Sequence, residues 1–398
     1  MKFDYDLFME ILCFLPIETL LRFRCLSKTC CSCIDSSEFI NLHLNQSLKT
    51  NTNRNLIIHE LEPKGSIYAI ELDSLESDRC PVELHRLYNP HFDTFMHGHG
   101  SDVFGSCNGL LAMYNNEGIV LWNPATRKHK TLPRFWGHCY GDYEMLHGFG
   151  YDALNDDYKL IIMSQHYMEN NIRVMVYSLK GNSSTRVEDL LGYSIIRTYD
   201  KRRSVGVLAG GSLHWVVNRK GDVTDRVILA FGVGDEKFCE LPKPQMESEN
   251  ICLYVEEIGG RLAICRQWPY WIYEIWIMKE YGVMESWTKL FNFTSSTACR
   301  HNLVYVKALC CLRTKTGDEV LLLHDQNSKN LFFFGLRQGR TEKLATFGLP
   351  QHNIYSRISA NVCMRSLAPV KFQRKELKRT REEKKEKEQR RQKQISLK

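Results

Sequence analysis

The sequence predicts an α+β chain. Three or four short N-terminal helices come first, then a mainly-β, propeller-like domain of about six blades, then a charged C-terminal tail. Three observations carry this expectation. Apolar residues recur at helical spacing over the first 44 residues and at strand spacing afterwards. A strand–turn–strand pattern then returns at intervals of roughly 46 to 57 residues, about the length of one propeller blade. Residues 371–398 carry almost no apolar side chains.

The helices come first in the chain. Leu7, Phe8, Ile11, Leu12 and Leu15 form an apolar stripe at helical spacing, which predicts a first short helix. Pro16 interrupts it and can be the first residue of a second helix, where a missing backbone donor costs nothing. That second helix carries Leu20, Leu21, Arg24 and Cys25. Ser27 stands where an N-cap would open a third, with Cys30, Cys33 and Ile34 on one side. Ser36 or Ser37 can cap a fourth, ending in Phe39, Leu42 and Leu44, so the helical unit is placed at residues 1–45. So small a unit cannot cover this much apolar surface without a metal, a disulfide or a partner. The excess surface therefore points outward, towards another protein.

From residue 54 the period changes. Residues 54–73 hold two β-branched runs around Pro63-Lys64-Gly65, the mark of a hairpin. One pattern then repeats from Ser66 (SIYAIELDSLE), Gly118 (GIVLWNPATRKHKTLP), Asn171 (NIRVMVYSLKGNSSTRVED), Arg226 (RVILAFGVGDEKFCELP), Tyr273 (YEIWIMKEYGVMESWTKLF) and Asn330 (NLFFFGLRQGRTEKLATFGLP). The stretches between copies, such as DVFGSCNGLLAMYN at 102–115 and LYVEEIGGRLAICRQ at 253–267, read as further hairpins with Gly-containing turns. Six such units across residues 54–370 suit a closed or nearly closed ring, since an open stack would leave edge strands free to pair elsewhere. A β-sandwich is the alternative for blades this irregular.

The tail, residues 371–398, holds 13 Lys or Arg and 5 Asp or Glu, a net +8. That leaves 40 of the 53 basic and 41 of the 46 acidic residues elsewhere, a balance of −1. The body thus has no visible basic face for a phosphate backbone, and no direct nucleic-acid partner is expected. The tail reads as a disordered or solvated helical segment, serving either nuclear import or an anionic partner, or else solubility. No run of 18 apolar residues spans a membrane, and the start MKFDYDLF lacks the basic and apolar regions of a signal peptide. A cytoplasmic and nuclear protein is expected, in which the 15 cysteines are small hydrophobes or unpaired thiols.

Catalytic patterns are missing from the sequence. It has no G-x-S-x-G elbow, phosphate-binding GK[ST] loop or H-E-x-x-H helix, and no paired C-x-x-C spacing for zinc. His97 and His99 in HGHGSD, and Asp156-Asp157 in NDDYK, read as turns rather than metal sites. No cofactor, no metal and no enzyme activity are expected. Aromatics cluster in RQWPYWIYEIWIM (266–278) and at Phe135-Trp136. Trp268, Tyr270 and Trp271 are candidate contacts to a bound protein, with loop packing as the alternative, whereas Trp276 and Trp287 lie within strand motifs.

Two stretches resemble a known family. The run from Asp6-Leu7 through Glu10-Ile11-Leu12, Leu15-Pro16 and Thr19 to Lys28 strongly resembles an F-box, which docks onto a Skp-type adaptor of cullin-RING ubiquitin ligases. Two positions depart from that pattern: Phe3-Asp4 stands where the family has Leu-Pro, and Cys30 where it has Trp. The segments GSCNGLLAMYNNEGIVLWNPATRKHKTLP, GFGYDALNDDYKL, GSLHWVV and IWIMKEYGVMESWTKLF resemble the plant F-box-associated domain of type 1, a kelch-like, propeller-related fold, from about Asp102 to Phe291 or beyond. The resemblance implies a non-catalytic substrate receptor of a ubiquitin ligase. Leu7, Ile11, Leu12, Leu15, Pro16, Leu20, Leu21, Arg24 and Leu26 would meet the adaptor, and through it a cullin. Within the superfamily, the layout with a charged tail resembles receptors that restrain immunity by degrading intracellular immune receptors. Pollen receptors for cytotoxic ribonucleases share the fold, and a ligase-independent scaffold is the reading from another class.

Overall fold

The computed structural model describes residues 5–60, 66–75, 85–87, 102–115, 118–133, 143–197, 204–222, 224–244, 252–267, 272–294, 306–314, 317–325, 330–343 and 358–370. Four helices open the chain: α1 (Tyr5–Leu12), α2 (Ile17–Phe23), α3 (Lys28–Ile34) and α4 (Ser37–Thr50). Ser27 Oγ accepts the Cys30 N–H at 3.0 Å and Ser36 Oγ accepts the Phe39 N–H at 3.1 Å, so short hydroxyl side chains start α3 and α4.

Three boundaries differ from the sequence expectation. Pro16, at φ −59° and ψ 148°, is the residue before α2 rather than its first; its extended ψ delays the helix by one position. α1 stops at Leu12 because Phe14 N–H and Leu15 N–H bond three residues back, at 3.3 and 3.0 Å, tightening the end. α4 continues past Leu44 to Thr50, where Asn51 takes the left-handed conformation (φ 57°) that ends it.

The β domain is built blade by blade. Blade 1 begins with β1 (Arg54–Glu60), β2 (Ile67–Glu71) and β3 (His85–Leu87), with a four-residue helix α5 (Leu72–Leu75) after β2. Blade 2 is β4 (Asp102–Cys107), β5 (Leu110–Asn115), β6 (Gly118–Asn123) and β7 (Lys128–Thr131). Blade 3 is β8 (Tyr143–Asp152), β9 (Asp157–His166), β10 (Arg173–Ser178) and β11 (Ser183–Arg186). In blade 4, β12 (Tyr193–Ser194) and β13 (Val207–Ala209) share one edge of β14 (Ser212–Arg219), followed by β15 (Arg226–Gly232) and β16 (Phe238–Leu241). Blade 5 is β17 (Cys252–Ile258), β18 (Arg261–Gln267), β19 (Ile272–Met278) and β20 (Trp287–Thr294). Blade 6 is β21 (Val306–Arg313), β22 (Glu319–Asp325), β23 (Asn330–Gly335) and β24 (Arg340–Lys343).

In blades 2 to 6 the repeated sequence pattern is the third and fourth strands, and the stretches between copies are the first and second; in blade 1 the copy holds the third strand and α5. Among the described residues the strands form six sheets, as a six-bladed ring requires. Third strands pack on both faces, which is why β6 is buried at every residue and reads as a continuous apolar run rather than an alternating one. Layers such as Leu110, Ala112, Ile119 and Leu121 against Phe149, Leu160 and Ile162 form the core between neighbouring blades.

The ring closes with β25 (Ile358–Met364), a strand the repeat pattern did not single out. It pairs antiparallel with β1 from Arg54↔Met364 to Glu60↔Ile358. It also takes the inner position that β4 and β8 hold in their blades. Blade 1 is therefore made from both ends of the domain, and the pairing leaves no open seam for another chain to join.

Candidate functional site

α1 is apolar on two sides. Met9, Leu12 and Cys13 enter a helical core with Ile17, Leu20, Cys33, Ile34 and Phe39. Leu7, Ile11 and Phe14, at positions i, i+4 and i+7, face outward and stand 54%, 56% and 68% exposed. Leu26, just beyond α2, is 69% exposed. Arg24 Nη2 lies 2.7 Å from Asp35 Oδ2, which fixes the start of the α2–α3 link beside it.

The structure divides the residues expected at this surface. Leu7, Ile11, Pro16 and Leu26 are exposed, and Leu15, Leu21 and Arg24 are half-buried. Leu12 and Leu20 are a correction: at 1% and 0% exposure they belong to the helical core. Leu12 follows Ile11 by one residue, a turn of about 100° that moves it to the Met9 side of α1. Phe14 was missed, although its spacing of seven from Leu7 marks the same stripe.

The inner side of the helical module rests on the ring. Arg365, the residue after β25, has its guanidinium 3.3 Å from both carboxylate oxygens of Glu18 on α2, and its side chain is 8% exposed. The same group lies 2.7 Å from Glu71 Oε1 and 3.9 Å from Asp73 Oδ2. Leu367 and Ala125 pack against the helical core. Asn123, at the end of β6, donates from Nδ2 to the carbonyls of Ser366 (3.0 Å) and Ala368 (2.9 Å). Its Oδ1 accepts the Ala125 and Thr126 N–H groups at 3.0 and 3.1 Å. Gly109, at φ +82°, leaves room that a Cβ would fill to within 2.2 Å of Ser366 Oγ. Buried His43 on α4 donates from Nε2 to the Leu15 carbonyl at 2.9 Å. Burial pushes the His43 pKa down, with the Arg365 charge acting the same way.

The turns Asn108–Gly109 and 124–127 that meet residues 365–370 lie on one face of the ring, with the other first-to-second and third-to-fourth turns. The second-to-third connections leave from the opposite face. Gln267 and Ile272, the ends of β18 and β19, sit on that far side. Trp268, Tyr270 and Trp271, which join them, lie outside the described residues, as do Phe135, Trp136, His97, His99 and the tail. Trp287 is buried, with its Nε1–H donating to the Pro242 carbonyl at 2.9 Å, whereas Trp276 is half-buried under Lys289, 5.0 Å from its ring.

Asp156 and Asp157 are engaged locally: Tyr151 donates its hydroxyl to Asp156 at 2.6 Å, and Asp157 accepts from Ser178 and from the Lys180 N–H. Among the described residues no three His, Cys, Asp or Glu side chains come together as a metal cage.

Comparison with known proteins agrees with this architecture. Residues 2–42 match the F-box domain, and residues 61–369 match the F-box associated beta propeller domain. F-box protein CPR1 of Arabidopsis thaliana is 30% identical over 364 residues, 85% of this chain and 83% of that protein. F-box protein At4g22390 of the same plant is 28% identical over 368 residues, 86% of this chain and 85% of that one. With four helices docked on a closed six-bladed ring and both domain families matched in order, this chain belongs to the F-box proteins that carry an F-box-associated β-propeller.

Proposed function

We propose that this chain is the substrate-recognition subunit of an SCF-type cullin-RING ubiquitin ligase, with no active site of its own. Leu7, Ile11, Phe14 and Leu26 dock a Skp-type adaptor, and through it a cullin, while the propeller holds a client protein. The observation that carries this is the outward stripe of α1 and the turn after it, more than half exposed at Leu7, Ile11 and Phe14. Covering one half-exposed Leu or Ile contributes about 1 kcal/mol, before the cost of association is met. The ligase chemistry is then proximity: the receptor raises the local concentration of a client lysine near a thioester carried by another subunit, and the client goes on to the proteasome. The family resemblance favours an intracellular immune receptor as client, in the regulation of plant defence, and a protein working in cytoplasm and nucleus. The face opposite the F-box is the client platform, because described strand ends there, such as Gln267 and Ile272, lie across the ring from the junction.

The test is co-purification of the full chain with a Skp-type adaptor at micromolar concentration. Leu7→Asp with Ile11→Asp should abolish it while the unfolding midpoint stays put. Retained binding in that double variant, or no binding by the parent chain, defeats the proposal and leaves a ligase-independent scaffold.

A further inference from the structure

Residues 365–370, the described residues after β25, alternate between two neighbours. Arg365 reaches Glu18 of α2, and Leu367 enters the F-box core beside Ala125. Ser366, Ala368 and Val370 turn the other way, onto blade 2: Ser366 Oγ donates to the Asn108 carbonyl at 2.5 Å, and Ala368 and Val370 join the layer around Leu110 and Leu121. Asn53, just before β1, ties the same place from the other strand. Its N–H donates to Asp73 Oδ2 at 3.0 Å, its Nδ2 donates to Ser47 Oγ of α4 at 2.9 Å, and its carbonyl accepts the Arg365 N–H at 2.6 Å. Ala125 apart, these seating contacts run through Asn53, Arg365 and Leu367, each within three residues of a strand that closes the ring.

We propose that the F-box seat and the ring seam are one cooperative unit, so that the F-box is held in its docking orientation only by a closed propeller. The reason is covalent reach. Three residues span at most about 10 Å, so Arg365 and Leu367 cannot stay in place when β25 leaves β1. When β25 departs, the Glu18 carboxylate loses its guanidinium and the F-box core loses one of its apolar neighbours together.

The order of the chain gives this coupling a consequence. α1–α4 are made before the ring and residues 365–370 of their seat after its last strand. A chain whose propeller is incomplete carries the docking stripe but no fixed angle between it and the ring. Proximity catalysis depends on that angle, so such a chain does not present a client productively. The coupling stands on contacts within the chain and holds whether or not the adaptor reading is right.

Hydrogen exchange of the full-length protein in graded denaturant tests it. Amides of α1–α4 and of β1 and β25 should open with the same free energy and the same denaturant slope, whatever the remaining blades do. Arg365→Met should speed exchange of both sets by the same factor, at least tenfold. The proposal is overturned if F-box amides stay protected where the seam has opened, if they open at lower denaturant than the seam, or if Arg365→Met speeds one set alone. Should that variant not fold, the comparison within the parent chain decides.

Discussion

Arg365 and Glu18 meet across 347 residues of sequence, with Nη1 of the arginine 3.3 Å from each carboxylate oxygen. The two partners sit in different water: the Arg365 side chain is 8% exposed and that of Glu18 52%. Burying a guanidinium is costly unless acceptors surround it, and here Glu18, Glu71 and Asp73 converge on one group. The three carboxylates come from α2, β2 and the start of α5, so a single cation ties the F-box to blade 1.

The two sides of α1–α2 should respond differently to truncation. Leu20→Ala, at a site with 0% exposure, is expected to cost about 3 kcal/mol through lost burial and an unfilled cavity. Leu7→Ala, more than half exposed, should change stability by less than about 0.5 kcal/mol. Urea unfolding of the two variants checks the contrast, and equal losses would mean that the stripe packs as tightly as the core.

Asn123 uses both ends of its amide, two donations and two acceptances, at the point where β6 meets the segment after β25. Asn123→Ala leaves buried carbonyls and turn N–H groups unmatched and should cost about 3 kcal/mol. Asn123→Asp keeps the acceptor but turns a carboxylate towards the Ser366 and Ala368 carbonyls, so it should not rescue. A thermal midpoint for the Asp variant close to the parent's would refute this account.

Lys159 on β9 joins blade 3 to blade 4. Its Nζ lies 2.9 Å from Asp152, 2.8 Å from Glu236 and 2.8 Å from the Val233 carbonyl. Burial alone would raise the Asp152 pKa, but bonds from Lys159 and Asn155 overcome it and hold the group at about 2. Its folded value therefore lies below the unfolded 3.8, so its stabilising contribution is complete above 3.8 and lost as pH falls through about 2. Lys159→Met strands the buried carboxylate and should cost about 3 kcal/mol at neutral pH. It should also move acid unfolding to higher pH, and a variant unfolding at the parent's pH would contradict the assignment.

His214 is buried with both nitrogens engaged. Nδ1–H donates to the Val207 carbonyl at 3.0 Å, so Nε2 accepts the Tyr281 hydroxyl at 2.8 Å. The neutral ring satisfies both partners without placing a charge in the interior. Burial pushes its pKa to about 4 from 6.5. A lowered value means the unfolded chain takes up the proton first, so stability is complete above 6.5 and declines as pH falls towards 4. From pH 7 to pH 5 the loss from this residue is about 2 kcal/mol. Denaturant titrations of the parent and of His214→Gln at both pH values measure it; equal slopes with pH in the two proteins would rule it out.

Much of the fold was legible because its signals are local. Ser27 and Ser36 cap helices as their spacing suggested, and β6, β10, β15, β19 and β23 each open the repeat copies that marked the blades. The first copy was read too simply: after β2 the chain turns into α5 at Leu72, where the pattern had placed strand and turn. The site was legible only as a set of leucines. Their sidedness was not, since α1 is apolar on two sides and spacing alone does not say which stripe the rest of the chain will cover.

What the sequence determined by itself was the kind and order of the parts: helices from capped apolar stripes, blades from a returning strand pattern, a charged tail from its composition. Tertiary structure alone decided that Leu12 and Leu20 go inside while Leu7, Ile11 and Phe14 stay out, that β25 completes blade 1, and that Arg365 meets Glu18. Periodicity and capping act over a few residues and leave a trace in any short window. Pairing of residues hundreds of positions apart is settled by which surfaces the closed ring brings together, and no window of the sequence contains both partners.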